Sequence, residues 1–370
     1  MKRLLFPLII LIVLTSPLLS QEEQSKNENN LSTSAFRDIS ITGQWFLSYQ
    51  TGRKSDITDN EFLLKRGYIT FLKKFNKNFL ARVTQDVSVD REGDGEGDIE
   101  IRLKYGYLRY VFDKFSVFTK LSIDFGLVHR PWIDFEQGIN PYRVQGSMFL
   151  ERYGILSSAD YGISFSGLLG DEMDEEFKSK ISKNAPGKYG SFSIGLYNGG
   201  GYHAIEKNEN KLVDGRITVR PFHEFLPGLQ LSFLGAIGKG NIEASPEFNQ
   251  TAGFLSLESK NIIFTGTYYQ GKGFEDGGKL NPNGSSVKNS GFSLFTNFTL
   301  PGTKLSVFGR YDFFKSEFTT IDVLTKRIIT GLSYSFLEGS KVLIDYDSVN
   351  RSNSSKPDDY FLELAVEVRY

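Results

Sequence analysis

The chain has 370 residues, no Cys, 18 Tyr, 32 Phe and a formal charge of −1. So balanced a charge gives no footing for nucleic acid or a polyanionic surface, and the absence of Cys excludes disulfide staples, a thiolate nucleophile and a lipid-bearing cysteine. Aromatics at 14% beside a mean hydropathy of −0.27 describe a chain rich in rings without being greasy.

Residues 1–20, "MKRLLFPLIILIVLTSPLLS", join a Lys2-Arg3 start to an apolar run that stops at a polar stretch. This is the pattern of a secretory signal peptide, with cleavage expected near Ser20. Residues 21–37 are polar and aperiodic, which predicts a flexible periplasmic lead-in. No later run approaches the ~18 apolar residues of a membrane helix.

From Asp38 onward the hydrophobic period is two. Phe79, Ala81, Val83, Val87 and Val89 alternate with Arg82, Thr84, Asp86 and Ser88. Ile99, Ile101, Leu103, Tyr105 and Tyr107 alternate with Glu100, Arg102 and Lys104, and Leu121, Ile123, Phe125 and Leu127 with Lys120, Ser122 and Asp124. Each segment predicts a strand with one apolar and one charged face. The joins alternate as well. Short ones at 75–78, 113–114, 223–228, 258–261, 300–303 and 337–340 are interleaved with long polar ones at 90–98, 129–157, 198–211, 238–250, 271–289 and 348–359. Tight turns at one end and long loops at the other predict a transmembrane antiparallel β-barrel, all-β, over residues 38–370, with about sixteen strands, apolar side out and polar side in. The 170–188 segment interrupts this rhythm, as either an insertion at the short-turn end or a missed hairpin.

Residues 129–157, "HRPWIDFEQGINPYRVQGSMFLERYGILS", are too apolar for a loop in water. Trp132, Ile133, Phe135, Tyr142, Val144, Met148, Phe149 and Leu150 need a surface to pack on, and the lumen offers one. Folded inward as a constriction loop, the segment would bring His129, Arg130, Asp134, Glu136, Arg143, Glu151 and Arg152 toward the pore axis.

At this segment the sequence resembles the phosphate-selective porins of the O and P type. The likeness runs through "LSIDFGLVHRPW", "FLERYG" with Glu151 and Arg152, "ADYGISFSG", "LYNGGG", "GRITVRPF" and "LSFLGAIGKG", and covers most of residues 60–370. It implies a 16-stranded barrel in the bacterial outer membrane, a homotrimer, an inward-folded third extracellular loop and passive diffusion of small solutes or ions, phosphate among them.

The inward strand faces offer Arg82, Arg102, Lys104, Lys120, Arg216, Arg220, Arg310 and Arg327 beside Asp86, Glu100, Asp124, Asp214, Asp312, Asp345, Glu363 and Glu367. Within-strand pairs are expected for Arg82 with Asp86, Arg216 with Asp214 and Arg310 with Asp312. Such facing rows set a transverse field rather than a ladder for one anion, so a porin is expected, without strict phosphate selectivity. An adhesin working through its long loops is the alternative; an outer-membrane hydrolase is a weaker one, since His129, His203 and His223 show no Ser partner. No cofactor, metal site or catalytic residue is expected; the acidic run at 90–98 lacks the spacing of a calcium loop. The final strand, "YFLELAVEVRY", alternates to its end, and Tyr370 resembles the terminal aromatic read by the barrel-assembly machinery.

Overall fold

The computed structural model describes residues 38–54, 57–91 and 93–370. The expected signal peptide and lead-in lie outside them. Sixteen strands follow in chain order: β1 (Ile39–Lys54), β2 (Ile57–Lys74), β3 (Phe79–Val89), β4 (Ile99–Val111), β5 (Phe118–His129), β6 (Ala159–Leu169), β7 (Gly190–Tyr197) and β8 (Leu212–Val219). Then come β9 (Leu229–Lys239), β10 (Glu247–Glu258), β11 (Ile262–Lys272), β12 (Lys288–Thr299), β13 (Leu305–Glu317), β14 (Asp322–Leu337), β15 (Ser340–Ser352) and β16 (Asp359–Arg369). Each pairs with its chain neighbour, and β16 returns antiparallel to β1 over Gln44↔Arg369 to Arg53↔Tyr360, closing the barrel. Closure leaves no unpaired sheet edge, which a bilayer requires. The seam is finished by Tyr370, whose backbone exchanges hydrogen bonds with Gly43 (2.9 and 3.1 Å) and whose hydroxyl accepts from Trp45 Nε1 at 3.3 Å.

Burial is inverted relative to a protein dissolved in water. On β16, Leu362 and Leu364 are 46% and 47% exposed, while Glu363 and Glu367 are fully covered. The same holds around the ring: Ile101, Phe125, Ile237, Ile328 and Ile344 point out, and Asp86, Asp214, Asp312 and Asp347 are buried. Period-two chains with this polarity are stable only with hydrocarbon outside and water or protein inside.

Of the register slips among the described residues, which include one at Ser335/Leu337 between β14 and β15, two correct the expected alternation. Across β3–β4 the register steps from Thr84↔Tyr105 to Gln85↔Leu103, so Lys104 is an extra residue. Beyond it the faces exchange, and Tyr105 and Tyr107, expected beside Leu103 on the lipid side, are turned inward and buried. A second slip between Thr119 and Ser122 sets Lys120 in a left-handed conformation (φ 52°) at the short-turn end.

The joins keep their asymmetry with two adjustments. Strands β9, β10, β15 and β16 run further than expected, leaving only residues 240–246 and 353–358 as loops. The 170–188 anomaly is an insertion, not a missed hairpin: it carries a short helix, α3 (Glu175–Lys180), capped by Asp174 Oδ1 accepting from Phe177 N at 2.7 Å. The long join after β5 carries the other two helices, α1 (Pro131–Ile139) and α2 (Phe149–Arg152). Pro131 begins α1 where its missing N–H costs nothing, and Asn140 ends it with its amide bonded to Glu136 O at 2.9 Å.

Candidate functional site

The 129–157 segment lies inside the barrel, because the wall opposite it is apolar on its inner face. Strands β9 to β15 turn Leu234, Ala236, Phe248, Ala252, Phe254, Phe295, Phe308, Phe314, Ile329 and Leu343 inward, all buried. Without a cover these side chains would face an aqueous lumen. The segment supplies it: Trp132 meets Phe254 edge-on at 5.5 Å, Tyr142 stacks on Phe308 at 4.0 Å and Tyr153 stacks on Phe314 at 4.4 Å. Burying each such ring contributes about 1.5–3 kcal/mol, with ~0.5–1.5 more per aromatic pair. Tyr142 is fixed further by donating to Asn297 Oδ1 at 2.8 Å.

Ion pairs then fasten the edges of this cover. Arg130 is fully buried and binds Asp214 of β8 at 2.7 Å, Glu275 of the 273–287 join, and Asp160 of β6 at 3.9 Å. Its expected place beside the pore axis is therefore corrected: three carboxylates and the Tyr197 ring, 4.7 Å from the guanidinium, hold it in the wall. Arg152 binds Asp312 at 2.9 Å, and Glu136 lies 3.8 Å from Arg310 while accepting from Trp132 Nε1 at 3.1 Å. These two are likewise fasteners rather than open pore charges. Burial, with Arg327 and Arg310 nearby, lowers Arg152 to about 10; burial raises Glu136 above the ordinary glutamate range despite Arg310.

The expected within-strand pairs give way to pairs with side chains from elsewhere. Asp86 binds Arg66 at 3.1 Å, not Arg82; Asp214 binds Arg130, not Arg216; Asp312 binds Arg152 more closely than Arg310, which is 4.0 Å away. Side chains two apart on a strand project in parallel about 7 Å from one another, and those four apart, as Arg82 and Asp86, about 13 Å, whereas a guanidinium from the neighbouring strand, as Arg66, or from the lumen segment, as Arg130 and Arg152, can meet the carboxylate head-on. Arg216 is instead covered by α1, with Phe135 4.1 Å from its guanidinium and Nε donating to Pro131 O at 3.1 Å. Arg220 is covered by Phe177 of α3 at 4.8 Å. Arg216, Arg220 and Arg310 thus sit on the inner wall but under cover, while Arg327 is tied to Asp347 at its edge.

Open space remains between the segment and β1–β5. A cavity of about 670 Å³ is lined by Tyr68, Thr70, Arg82, Thr84, Lys104, Tyr105 and His129 on the wall side and by Asp134, Gln137, Asn140 and Arg143 on the segment side. Asp134 pairs with His129 at 2.8 Å. Arg82 meets only neutral partners, Thr84 Oγ1 and His129 Nε2, both at 3.0 Å. Lys104 donates to Tyr68 Oη at 3.2 Å, and among the described residues no carboxylate lies within ion-pair distance of either cation. Arg143 shares the Tyr68 hydroxyl at 3.4 Å and has Glu151 only at 3.9 Å. Above this group Tyr202 donates to Asp86 at 3.1 Å, and Arg102 bonds His203 at 3.3 Å. His203, pushed down to about 4 by burial and by Arg102, adds no charge at neutral pH. Lys120 lies toward the short-turn end beside Glu172 at 3.8 Å.

The sequence reading missed Asn184. This residue of the 170–188 insertion reaches α1 from below, donating to Phe135 O at 2.8 Å. Gly138 makes the approach possible, since a Cβ there would stand 2.4 Å from Asn184 Cγ.

No protein-family model matches the sequence, and no curated protein matches it. Solved structures do match. An anion-selective porin from Comamonas acidovorans aligns with TM-score 0.61 and 9% identity over 90% of this chain and 99% of its own. OmpF of Salmonella typhi aligns with TM-score 0.60 and 15% identity over 90% and 97%. OmpT, an outer membrane protein of Vibrio cholerae solved in a trimer form, aligns with TM-score 0.54 and 12% identity over 90% and 99%. The fold is that of an outer-membrane porin. The barrel thus belongs architecturally with β-barrels of the bacterial outer membrane.

Proposed function

We propose that this chain is a passive outer-membrane channel for small hydrophilic solutes whose narrowest part favours anions. The observation that carries the reading is the cluster of Arg82, Lys104 and Arg143 on an open cavity: among the described residues no carboxylate lies within ion-pair distance of Arg82 or Lys104, Arg143 has Glu151 only at 3.9 Å, and Asp134 on the same cavity is paired with His129. On β13, β15 and β16, Asp312, Asp347, Glu363 and Glu367 are paired with Arg152, Arg327, Lys65 and Lys341. Cations held by hydroxyls and ring faces keep most of their field for a passing solute, because neutral partners do not cancel charge. The matched porin from Comamonas acidovorans is anion-selective, and the resemblance to phosphate-selective porins makes phosphate the first anion to test. The trimer form of OmpT supports a homotrimer. We assign export to residues 1–20, the constriction to 129–157, and recognition by the barrel-assembly machinery to the end of β16 with Tyr370.

Planar-bilayer recording across a KCl gradient tests this reading. The expected reversal potential has the sign of chloride permeation, and phosphate is expected to reduce the chloride current in a saturable way. A reversal potential at zero or of cation sign removes the anion preference; an absence of conductance steps removes the channel.

A further inference from the structure

The outer surface of the barrel differs between its two halves at the long-loop end. On β4, β6, β7 and β8 the outward side chains stay apolar almost to the loops: Ile99, Ile101, Tyr161, Leu196 and Val213 are all exposed. On β9 to β14 the corresponding outward positions carry Lys239, Lys272, Lys288, Lys315 and Lys326, with only Glu247, Glu317 and Asp322 among them. Strict alternation fixes their direction, since Ala236, Phe248, Tyr269, Asn289, Phe314 and Ile329 are buried on the inner side. Lys315 is satisfied by Glu317 and Asp322, both at 2.8 Å, and Lys272 by Glu247. Lys239, Lys288 and Lys326 have no carboxylate within ion-pair distance among the described residues.

Two features give these lysines a depth and a pocket. Below Lys239, Lys272, Lys288 and Lys315, and level with Lys326, runs an aromatic girdle, Tyr268, Phe292, Tyr311 and Phe313, with Phe292 5.7 Å from Phe313 and 5.8 Å from Tyr311. Such girdles mark the edge of the hydrocarbon, which puts the lysines at headgroup level. Between β9 and β13 the surface is notched by a cavity of about 740 Å³, bordered by Tyr268, Lys272, Lys288 and, opposite Lys288 on β13, Glu317, with Asn249, Gln270 and Ser290 offering polar groups inside it. Lys272 and Lys288 are direct cross-strand partners. Glu247 beside Lys272 and Glu317 opposite Lys288 offset part of their mutual repulsion, and with five lysines to three carboxylates the patch keeps a net positive charge.

We propose that this notch and its lysines bind the phosphorylated saccharide headgroup of a lipid in the leaflet at the long-loop end. The phosphates lie between Lys272, Lys288 and their unpaired neighbours, the sugar hydroxyls meet Asn249, Gln270 and Ser290, and the acyl chains run down past Tyr268. A basic cluster at the membrane surface gains affinity for anionic lipid with each lysine. The inference rests on the outer-membrane placement of the barrel but not on its conduction.

The test uses the full chain in detergent, titrated with diphosphorylated lipid A, with its dephosphorylated form and with phosphatidylcholine, and read by native mass spectrometry. Retention is expected in that descending order. The triple variant Lys239→Gln/Lys288→Gln/Lys326→Gln, confined to exposed or half-exposed positions, is expected to bind lipid A on the order of a hundredfold more weakly. Its conductance in a neutral bilayer is expected to match the parent, which separates loss of the lipid site from loss of the pore. Equal retention of all three lipids overturns the proposal, as does a variant with undiminished binding. Displacement by inorganic phosphate at lipid A's own concentration overturns it in favour of a soluble-anion site. A variant whose oligomeric state changes while lipid binding does not overturns it in favour of contact with a second copy.

Discussion

The two inner walls of this barrel use the same residue types in opposite ways. On β8 to β13 Asp214, Arg310 and Asp312 are buried and paired with Arg130, Glu136 and Arg152 of the 129–157 segment, so their charge is consumed in holding that segment down. On β1 to β5 Arg82 and Lys104 remain at the edge of open space, held by rings and hydroxyls that leave the charge uncancelled. A lumen arginine thus fastens the fold where a carboxylate or a ring covers it, and keeps its charge toward open space where neither closes over it. Its position along a strand does not decide this; the side chains arriving from other segments do.

Breaking the covered wall is expected to have the largest effects. Arg130→Ala leaves Asp160, Asp214 and Glu275 without their common cation, and a buried pair broken on one side costs about 3–5 kcal/mol. Thermal unfolding of the detergent-solubilised barrel reads that loss, and adding Asp214→Asn and Glu275→Gln to the variant is expected to restore much of it. Trp132→Ala removes the ring packed on Phe254, a loss of about 3–5 kcal/mol for a buried Trp. Single-channel recordings are expected to show larger and noisier conductance as the segment loosens; an unchanged conductance would place the segment off the pathway.

Changing the open wall is expected to cost less stability than breaking the covered one and to move selectivity. Arg82→Glu with Lys104→Glu puts two negative charges beside Asp134, and the reversal potential in a KCl gradient is expected to change sign. The smallest effect belongs to Glu136. Its neighbours are Arg310 and Asp312 of β13, Arg152 of α2 and the Trp132 indole, and burial outweighs them to raise its pKa. The folded state therefore binds this proton more tightly than the unfolded state, and the cost of ionisation appears as pH rises from the ordinary glutamate range through the raised value. Below that range wild type pays no penalty; above it, the cost is present in full. Glu136→Gln is expected to be at least as stable as wild type at pH 8 and to lose any advantage near pH 4, as followed by unfolding temperature.

The barrel could be read from the chain because a period of two and alternating join lengths survive any uncertainty about single residues. The inward fold of the 129–157 segment could be read as well, since an apolar loop has nowhere to pack but the lumen. What could not be read depends on register or on distant partners. Tyr105 and Tyr107 suit either face of the sheet, and nothing local marks Lys104 as the extra residue that turns them inward. The apolar inner face of β10 was partly visible: "EFNQTAGFLSLE" has Phe248, Ala252 and Phe254 on one side and Leu255 and Leu257 on the other, the mark of a strand covered on both faces. Arg130 finds partners on β6, β8 and the 273–287 join, and no spacing in its own neighbourhood announces them.

The Arg130 clasp also sets an order of assembly. Glu275 follows Arg130 by 145 residues and binds both its guanidinium and, at 2.6 Å, the amide of Ser157. Until the strands on either side of Glu275 have been laid down, that contact has no second half, and joining residues so far apart in the chain is slow. Locking of the 129–157 segment is accordingly expected among the late events of biogenesis, with a partly built cylinder passing through a wider stage before the clasp shuts.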